Sequence, residues 1–286
     1  MATVNINGRP VERAALSREA VGMAREMAEH TRLLDNPLPS DTDLSQEEDK
    51  ALQTQLHALA ILPREVLDDI YIAFSAHHLP ALANSLRKLN PNTQPVALAN
   101  LIQLMSLLPD PKRDPYLRRF LCTSSQMTSV PTIVAAAFVR GIAWKRPSGP
   151  GYICALICHM LQWCDTNLGD DKNASIDSST RKELCTKVGL LCEDARFANF
   201  DRTQQVEMKR LHGMLNSIEH IKPTGSYLNS TRQYLEGNCG DDSCPVCMEE
   251  AELLCSKCKT VRYCGKVCQT KDWKAGHKTK CFKALY

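Results

Sequence analysis

The sequence predicts a mainly α-helical protein, with a body of about ten short helices followed by a small cysteine-rich finger near its C-terminal end. Two observations lead to this fold class. Between residues 13 and 221, apolar residues recur at helical spacing, and prolines or polar clusters separate one amphipathic stretch from the next. From residue 244 to residue 281, cysteine and histidine side chains fall into short-spaced pairs, a pattern typical of a metal-stabilised module.

The helical spacing divides the body into separate segments. They occupy residues 13–34, 45–62, 63–78, 80–89, 95–108, 116–121, 130–144, 152–164, 180–194 and 201–221. Pro63 and Pro95 suit the first turn of a helix, and Asp43 or Ser45 can cap the second segment. The very apolar run 130–144 also allows a short buried strand.

The arrangement of these helices is predicted only coarsely. Short connections favour antiparallel neighbours. A solenoid-like stack of helical hairpins is one arrangement that fits, although the sequence contains no fixed-period repeat. We predict a helical domain at 1–236 that begins with a loose terminus at 1–9, a flexible hinge at 237–243 and a finger at 244–281. The helical domain shows no resemblance to a known family.

The finger contains eight side chains of the kind that bind soft metal ions. These are Cys244, Cys247, Cys255, Cys258, Cys264, Cys268, His277 and Cys281. The first two pairs have the C-x2-C spacing of a tight loop, and the last two pairs place i and i+4 side chains on one face of a helix. Structural zinc is held by four such ligands in a closed tetrahedron. Eight ligands therefore predict two zinc ions, with no position left for a catalytic water.

This pattern closely resembles the MYND zinc finger. The family runs C-x2-C, a short gap, C-x2-C, then Y-C, three residues, C-Q, W and finally H-K-x2-C. Besides the ligands, the matching residues are Tyr263, Gln269, Trp273 and Lys278. The resemblance is confined to residues 244–281. It implies that Cys244, Cys247, Cys264 and Cys268 hold one zinc, and that Cys255, Cys258, His277 and Cys281 hold the other.

The resemblance also implies what the finger binds. MYND fingers dock proline-containing peptides in a shallow groove beside their helix, and Gln269 and Trp273 share one face of that helix. The alternative is that Trp273 only packs the small core of the finger. Locally, the sequence allows a hairpin between 252–255 and 260–263 and a short helix at 265–274. A module of this size depends on its metal for folding.

Two other interpretations of the finger fit less well. A disulfide framework belongs to secreted chains, and the N-terminal sequence MATVNINGRP lacks the apolar region of a signal peptide. A RING finger, found in many ubiquitin ligases, also has eight ligands, but its histidine lies in the middle of the ligand order. Here His277 is the seventh of eight ligands, which favours the MYND pattern.

Composition predicts a protein of the cytoplasm or the nucleus. The chain has 14 cysteines, a number that suits a reducing compartment when no secretion signal is present. It has no apolar run of roughly 18 residues, so no membrane helix is predicted. The net charge of +3 is small, and zinc-bound thiolates would offset the surplus of lysines in the finger. Without a long basic block, the sequence has no strong signal for nucleic-acid binding.

Two features of the body suggest chemistry but have simpler explanations. The adjacent His77 and His78 suggest a metal site, but neighbouring side chains point apart on a helix. Cys154, Cys158 and His159 suggest a third metal site or a nucleophile with its base. That segment has no strand–turn–helix context and no oxyanion-hole motif, so buried structural cysteines are favoured.

Two classes of function follow. The first is an adaptor whose finger docks short proline-containing motifs of partner proteins, in transcriptional or other regulatory assemblies. The second is an enzyme, such as the lysine methyltransferases that contain MYND fingers, with its active site in the helical body. Those enzymes need a glycine-rich cofactor segment and an N-H-x-C-x-P-N-like stretch, and neither appears in residues 1–240. We therefore predict a non-enzymatic, zinc-binding adaptor and leave its oligomeric state open.

Overall fold

The computed structural model describes residues 3–6, 9–34, 38–164, 175–220, 224–284 and 286. Within these ranges the body contains β1 (Thr3–Ile6), β2 (Arg9–Glu12), α1 (Arg13–His30), α2 (Gln46–Ala60), α3 (Arg64–Lys88), α4 (Pro95–Leu107), α5 (Pro115–Leu121), α6 (Ser124–Met127), α7 (Val130–Val139), α8 (Gly149–Cys164), α9 (Ser178–Glu193), a 3-10 turn (Ala195–Asn199), α10 (Arg202–His220) and α11 (Thr224–Cys239). The finger contains β3 (Leu253–Leu254), β4 (Arg262–Tyr263), α12 (Lys266–Asp272), a π-helical turn (Trp273–His277) and α13 (Lys278–Lys280). The prediction of a mainly α-helical fold with a small metal-binding finger is confirmed.

The N-terminal residues differ from the loose terminus that was predicted. β1 and β2 pair antiparallel, with Thr3 opposite Glu12 and Ile6 opposite Arg9, and β2 leads directly into α1. β1 contains three β-branched residues, Thr3, Val4 and Ile6. Such residues are typical of strands, a signal that the sequence analysis did not weigh. The polar sequence at 167–179 is predicted to form a loop, and its residues 167–174 lie outside the described residues.

Polar side chains mark where two helices begin. The Glu48 N–H donates to Ser45 Oγ at 3.2 Å, and the Ser45 N–H donates to Glu48 Oε2 at 2.8 Å. This capping box satisfies two backbone donors that the start of α2 would otherwise leave free. Asp114 caps α5 by accepting the N–H groups of Tyr116 and Leu117, both at 3.0 Å. Of the two caps that the sequence allows for this helix, Asp43 and Ser45, the structure uses Ser45.

α3 is one helix of 25 residues, although the sequence analysis predicted two helices that meet at Pro80. Proline removes one backbone hydrogen bond and normally kinks or ends a helix. Here the turns around the proline are buried, with Leu79 and Leu82 fully inaccessible, and α3 contacts α1, α4, α5 and α7. Packing on several sides therefore keeps the helix continuous, and local sequence signals do not reveal such packing.

The apolar run 130–144 forms a helix and not a strand, but α7 ends at Val139, before the predicted end. Gly141 has a φ of 77°, a left-handed conformation that glycine adopts without a steric penalty. The Gly141 N–H donates to the Phe138 carbonyl at 2.9 Å, and the Ile142 N–H donates to the Ala137 carbonyl at 3.0 Å. These bonds satisfy the last carbonyls of α7 and turn the chain away.

The central helices of the body are α3 and α8. α8 contacts α4, α5, α7, α10 and α11, and Phe74 on α3 and Trp163 on α8 are among the largest buried side chains. The buried apolar residues form one cluster that continues into the finger through Tyr263 and Phe282. Among the described residues, no helix is both long and apolar enough to cross a membrane.

The connection between body and finger begins in a helix. α11 extends through Cys239, so the first residues of the predicted hinge at 237–243 form the last turn of α11. The hinge and the domain boundaries stay predictions.

Candidate metal centre

Two short loops with the C-x2-C spacing begin the finger, and both contain the same backbone turn. The Met248 N–H donates to the Cys244 carbonyl at 2.8 Å, and the Lys259 N–H donates to the Cys255 carbonyl at 2.9 Å. Met248 and Lys259 have φ values of 64° and 56°, in the left-handed region that tightens the chain. Each loop therefore brings its two cysteines close together.

A small hairpin joins the second loop to the rest of the finger. β3 and β4 pair antiparallel with Leu253 opposite Tyr263, and the Cys255 N–H donates to the Val261 carbonyl at 2.8 Å. Cys264 follows β4 directly, and α12 begins soon after it. The hairpin and the short helix that the sequence allows are both present.

The first group of ligands comprises Cys244, Cys247, Cys264 and Cys268. The sulfur atoms of Cys247 and Cys264 are 3.4 Å apart, and those of Cys264 and Cys268 are 3.5 Å apart. The Cys268 and Cys247 sulfur atoms are 3.9 Å apart. Cys244 is buried, whereas Cys247 and Cys264 are exposed, so solvent reaches this group.

The second group comprises Cys255, Cys258, His277 and Cys281. The sulfur atoms of Cys255 and Cys281 are 3.8 Å apart, and Cys258 Sγ lies 3.6 Å from His277 Nε2. All three cysteines are buried, which distinguishes this group from the first.

The π-helical turn presents His277 to the second group. Gly276 has a φ of 154° within this turn, a conformation that a side chain would strain. The His277 ring lies edge-on to the Tyr263 ring, with centroids 6.1 Å apart, and the Tyr263 hydroxyl donates to Asp272 Oδ2 at 2.7 Å. Packing of this kind fixes the orientation of a ligating histidine.

Both groups fit zinc in geometry and in donor type. A tetrahedral ion with zinc–sulfur bonds of about 2.3 Å separates its sulfur ligands by about 3.8 Å. The sulfur–sulfur distances of 3.4 to 3.9 Å agree with this separation. Thiolates with one imidazole are the soft donors of structural zinc sites. The two groups therefore suit two zinc ions, with the ligand sets that the resemblance implied.

The thiols of the second group affect each other electrostatically. Hydrogen bonds from Cys281 and then His277 outweigh burial and lower the pKa of Cys258 well below its usual value. The hydrogen bond with Cys258, together with burial, raises the pKa of Cys281 far above its usual value. One thiolate is thus stabilised by its neighbours, while ionising the next one requires a compensating cation.

Residues after the last ligand hold the finger against the body. We call Phe282, Ala284 and Tyr286 the C-terminal clasp. The Phe282 N–H donates to the Tyr116 hydroxyl at 2.8 Å, and this hydroxyl donates to the Phe282 carbonyl at 2.9 Å. The Tyr286 hydroxyl donates to the Tyr116 carbonyl at 2.8 Å, and its ring packs against Phe120 with centroids 5.2 Å apart. The clasp therefore docks against α5.

Two arginines of α5 extend this contact. Arg118 is buried and forms a two-pronged ion pair with Asp241, just before the finger. Arg119 donates to the Lys259 carbonyl at 3.0 Å, in the second C-x2-C loop. The sequence analysis missed the clasp and these arginines, and the aromatic residues that follow Cys281 were the available signal. The clasp and the two arginines together hold the body against the side of the finger that carries the second ligand group.

The two residues predicted to contact peptides lie on α12 and at its end. Gln269 is half-buried. Trp273 packs edge-on against His277 with ring centroids 5.9 Å apart, yet it remains 37% exposed. Trp273 therefore packs in part and stays accessible in part, and its contact with a peptide stays a prediction.

The other candidate sites in the body are explained by packing. Neither His77 nor His78 belongs to a metal-binding group among the described residues, and burial lowers the pKa of His78 to about 4. Cys154 and Cys158 are fully buried, and burial raises the pKa of both thiols. A nucleophilic cysteine needs the opposite shift, so these thiols serve as core residues.

Comparison with known proteins bears on the finger alone. Residues 244–281 match the family model described as the MYND finger. This segment is a MYND finger. Ubiquitin carboxyl-terminal hydrolase 19 of Arabidopsis thaliana is 58% identical to this chain over 38 residues, which are 13% of this chain and 6% of that protein. No solved structure matched the chain.

Two animal proteins share the MYND finger as well. Programmed cell death protein 2 of Mus musculus is 48% identical over 42 residues, 15% of this chain and 12% of that protein. Zinc finger MYND domain-containing protein 10 homolog of Drosophila melanogaster is 44% identical over 43 residues, 15% of this chain and 9% of that protein. The chain thus spans only a small part of each relative, and its helical body remains unrecognised.

Proposed function

We propose that this chain is an adaptor whose zinc-bound MYND finger docks short proline-containing segments of partner proteins beside α12. MYND fingers commonly mediate protein–protein interaction. Val267 on α12 is 82% exposed, and Leu253 and Leu254 on β3 are exposed as well. Three exposed apolar side chains on so small a module favour an interaction surface. This exposed apolar surface of the finger is the observation that carries the proposal.

The packing of the finger against the body supports the same surface. α13 contacts α1 and α3, and the clasp contacts α5, whereas α12 contacts β4 and the π-helical turn. The body therefore covers another side of the finger and leaves α12 accessible. Proline-rich segments dock on exposed aromatic rings, and their preformed extended backbone loses little conformational entropy on binding. Trp273 supplies such a ring, and the neighbouring Gln269 supplies an amide for the carbonyl groups of the peptide.

We further propose that the chain acts without catalysis of its own, in regulatory assemblies of the cytoplasm or the nucleus, including those of transcription. The hydrolase activity named for the Arabidopsis relative belongs to that protein, since the shared segment makes up 6% of it. A MYND-containing methyltransferase is the alternative for this chain, and it predicts binding of S-adenosylmethionine.

The test is a binding titration with fluorescent proline-containing peptides and the full, zinc-loaded chain. We expect micromolar affinity for a subset of a peptide library. The expected effect of Trp273→Ala is a loss of at least about tenfold, as for a central aromatic contact, and Gln269→Ala should weaken binding less. Tyr234→Ala is the matched control, because Tyr234 is an exposed aromatic residue on α11 in the body.

The zinc content of each variant is measured first, because Trp273 packs against His277. Unchanged affinity in a Trp273→Ala protein that retains two zinc ions would rule out the proposed surface. If the library contains no binder and S-adenosylmethionine raises the melting temperature of the chain, the enzyme hypothesis replaces the adaptor.

A further inference from the structure

The helical body contains a pocket of about 460 Å3, and all the residues that line it lie outside the finger. We call it the body pocket. Its apolar walls include Leu56 on α2, Leu67 and Tyr71 on α3, and Leu107 on α4. α8 and the start of α10 close the remaining side. This volume is in the range of sites that hold small ligands or a few residues of a peptide.

Two glycines build the wall where α8 and α10 meet. A Cβ atom on Gly151 would lie 2.4 Å from the Gln204 Cα atom, and a Cβ atom on Gly149 would lie 2.3 Å from Gln204 Oε1. The Gly151 N–H donates to Gln204 Oε1 at 3.3 Å. The glycines in the first turn of α8 thus permit close contact with the start of α10, and this contact forms the wall.

The interior of the pocket offers hydrogen-bonding groups. Ser148 lines it, is 6% exposed, and its Oγ has no hydrogen-bond partner among the described residues. Gln103 and Gln53 also line it and exchange two amide hydrogen bonds, at 2.8 and 3.1 Å. A buried hydroxyl without a partner costs free energy unless a bound molecule or water satisfies it. Ser148 therefore points to a polar ligand group at this position.

The carboxylates around the pocket each lie near a basic side chain. Arg64 Nε lies 3.1 Å from Asp68, and His159 Nε2 lies 3.6 Å from Asp110. Glu207, at the start of α10, pairs with an arginine of the same helix at 3.3 Å. The described lining thus offers no unpaired cluster of cations for a phosphate, and each of its carboxylates has a partner. An uncharged ligand suits this lining best, because a buried charge without a partner is costly.

We propose that the body pocket binds an uncharged group that combines an apolar side chain with secondary amides. The apolar part would rest on Leu56 and Tyr71, and the amides would bond to Ser148 and to the side-chain amides of Gln103 or Gln204. A peptide segment of a partner protein and a free small amide share this chemistry. The site goes beyond the adaptor role of the finger and is independent of it.

The test uses N-acetyl-leucinamide and a blocked pentapeptide with a central leucine, titrated by NMR into the full, zinc-loaded chain. Ala155→Leu is designed to fill the pocket, which Ala155 lines. Ala136→Leu is the matched control, since Ala136 is also half-buried on a helix but lies outside the pocket. Two zinc ions and an unchanged circular dichroism spectrum establish that each variant is folded.

We expect both probes to bind the wild type and Ala136→Leu equally, and Ala155→Leu at least tenfold more weakly. Ser148→Ala should weaken binding about three- to tenfold, as expected for one lost hydrogen bond, and N-acetyl-leucine, with its free carboxylate, should bind at least tenfold more weakly. A pentapeptide that binds tenfold more tightly than the single amide identifies a partner segment, and equal affinities identify a free small ligand.

Three results would overturn the site. They are equal binding by Ala155→Leu and the wild type, equal affinity for the carboxylate and the amide, and no binding of either probe up to about 10 mM. Trp273→Ala should leave the affinity of both probes unchanged, which separates this site from the peptide surface of the finger.

Discussion

The helical body and the MYND finger are stabilised in different ways, although they share one continuous core. The body buries large apolar side chains such as Phe74, Phe120 and Trp163, and its stability comes from their removal from water. In the finger, the buried residues include Tyr263 and cysteine ligands, which is too little apolar surface to fold a module of this size. Zinc binding takes the place of the missing apolar core. In model peptides, a structural zinc ion contributes roughly 10–16 kcal/mol of folding free energy.

The two ligand groups repeat this contrast within the finger. The first group includes the exposed Cys247 and Cys264, whereas the three cysteines of the second group are buried. Arg119 bonds to the second loop, and Tyr116 bonds to the residue that follows Cys281. The body therefore supports the second group through contacts at two of its segments, while in the first group the body holds only the chain before Cys244, through the Arg118–Asp241 pair.

Removing zinc should have the largest effect and should separate the two regions. With EDTA at neutral pH, we expect the finger to unfold and the body to keep its helices, because its core does not use metal. The seven cysteines of the finger should then react with a thiol reagent, while the buried Cys154 and Cys158 stay protected. Thiol counting by mass spectrometry and circular dichroism at 222 nm measure both effects.

EDTA saturated with zinc beforehand is the control and should change neither signal. If Cys154 and Cys158 react together with the finger cysteines, and the helical signal disappears, the body depends on the finger for its folding. The distinction between two modes of stabilisation would then be wrong.

An intermediate effect is expected for Tyr116→Phe, which tests the contact between the regions. The change removes the hydroxyl that accepts the Phe282 N–H at 2.8 Å and donates to the Phe282 carbonyl at 2.9 Å. Leaving buried backbone groups unpaired should cost about 1–3 kcal/mol of the free energy of unfolding. Urea unfolding of the zinc-loaded protein measures this loss, and hydrogen exchange at the Phe282 amide should become faster.

Tyr234→Phe is the matched control, because Tyr234 is exposed on α11, and it should leave the stability unchanged. Equal stability of Tyr116→Phe and the wild type would mean that the clasp does not couple the two regions. Loss of zinc from Tyr116→Phe would instead show that the clasp is required to hold the metal.

The smallest effect is expected for Glu48→Gln, which acts on the body alone. The Ser45 N–H and then Arg32 lower the pKa of Glu48 on folding. A lowered carboxyl pKa stabilises the fold above its unfolded value of about 4.3, and this contribution is lost as the pH falls through the lower, folded value. Glu48→Gln should therefore cost about 0.5–1 kcal/mol at pH 7, and the difference from the wild type should shrink below about pH 4.

Urea unfolding at pH 7, 4 and 3 measures this dependence. Glu29→Gln is the control, since Glu29 forms an exposed i, i+4 pair with Arg25 and should contribute little. The zinc content of Glu48→Gln should stay at two ions. A change in zinc binding would mean that the start of α2 and the finger are coupled.

Local signals predicted much of the molecule, and two particular failures show their limit. Ser45 and Glu48 form the capping box that their spacing allows, because a cap involves only residues within one helical turn of each other. Pro80 was expected to separate two helices but lies inside α3, since packing by distant helices outweighs the lost hydrogen bond. α7 ends at Val139 because Gly141 adopts a left-handed conformation. A glycine at this position permits that conformation but does not require it.

The sequence by itself determined the identity of the metal ligands, because the spacing within each pair of cysteine or histidine residues is local and matches the pattern of the finger family. It also determined that the body is helical, through the period of its apolar residues. Only the tertiary structure decided that Tyr116 bonds to Phe282, 166 residues away in the chain, and that Ser148 lies in a pocket between five helices. Contacts between distant segments depend on how the helices pack, and the local spacing of residues carries no record of that packing.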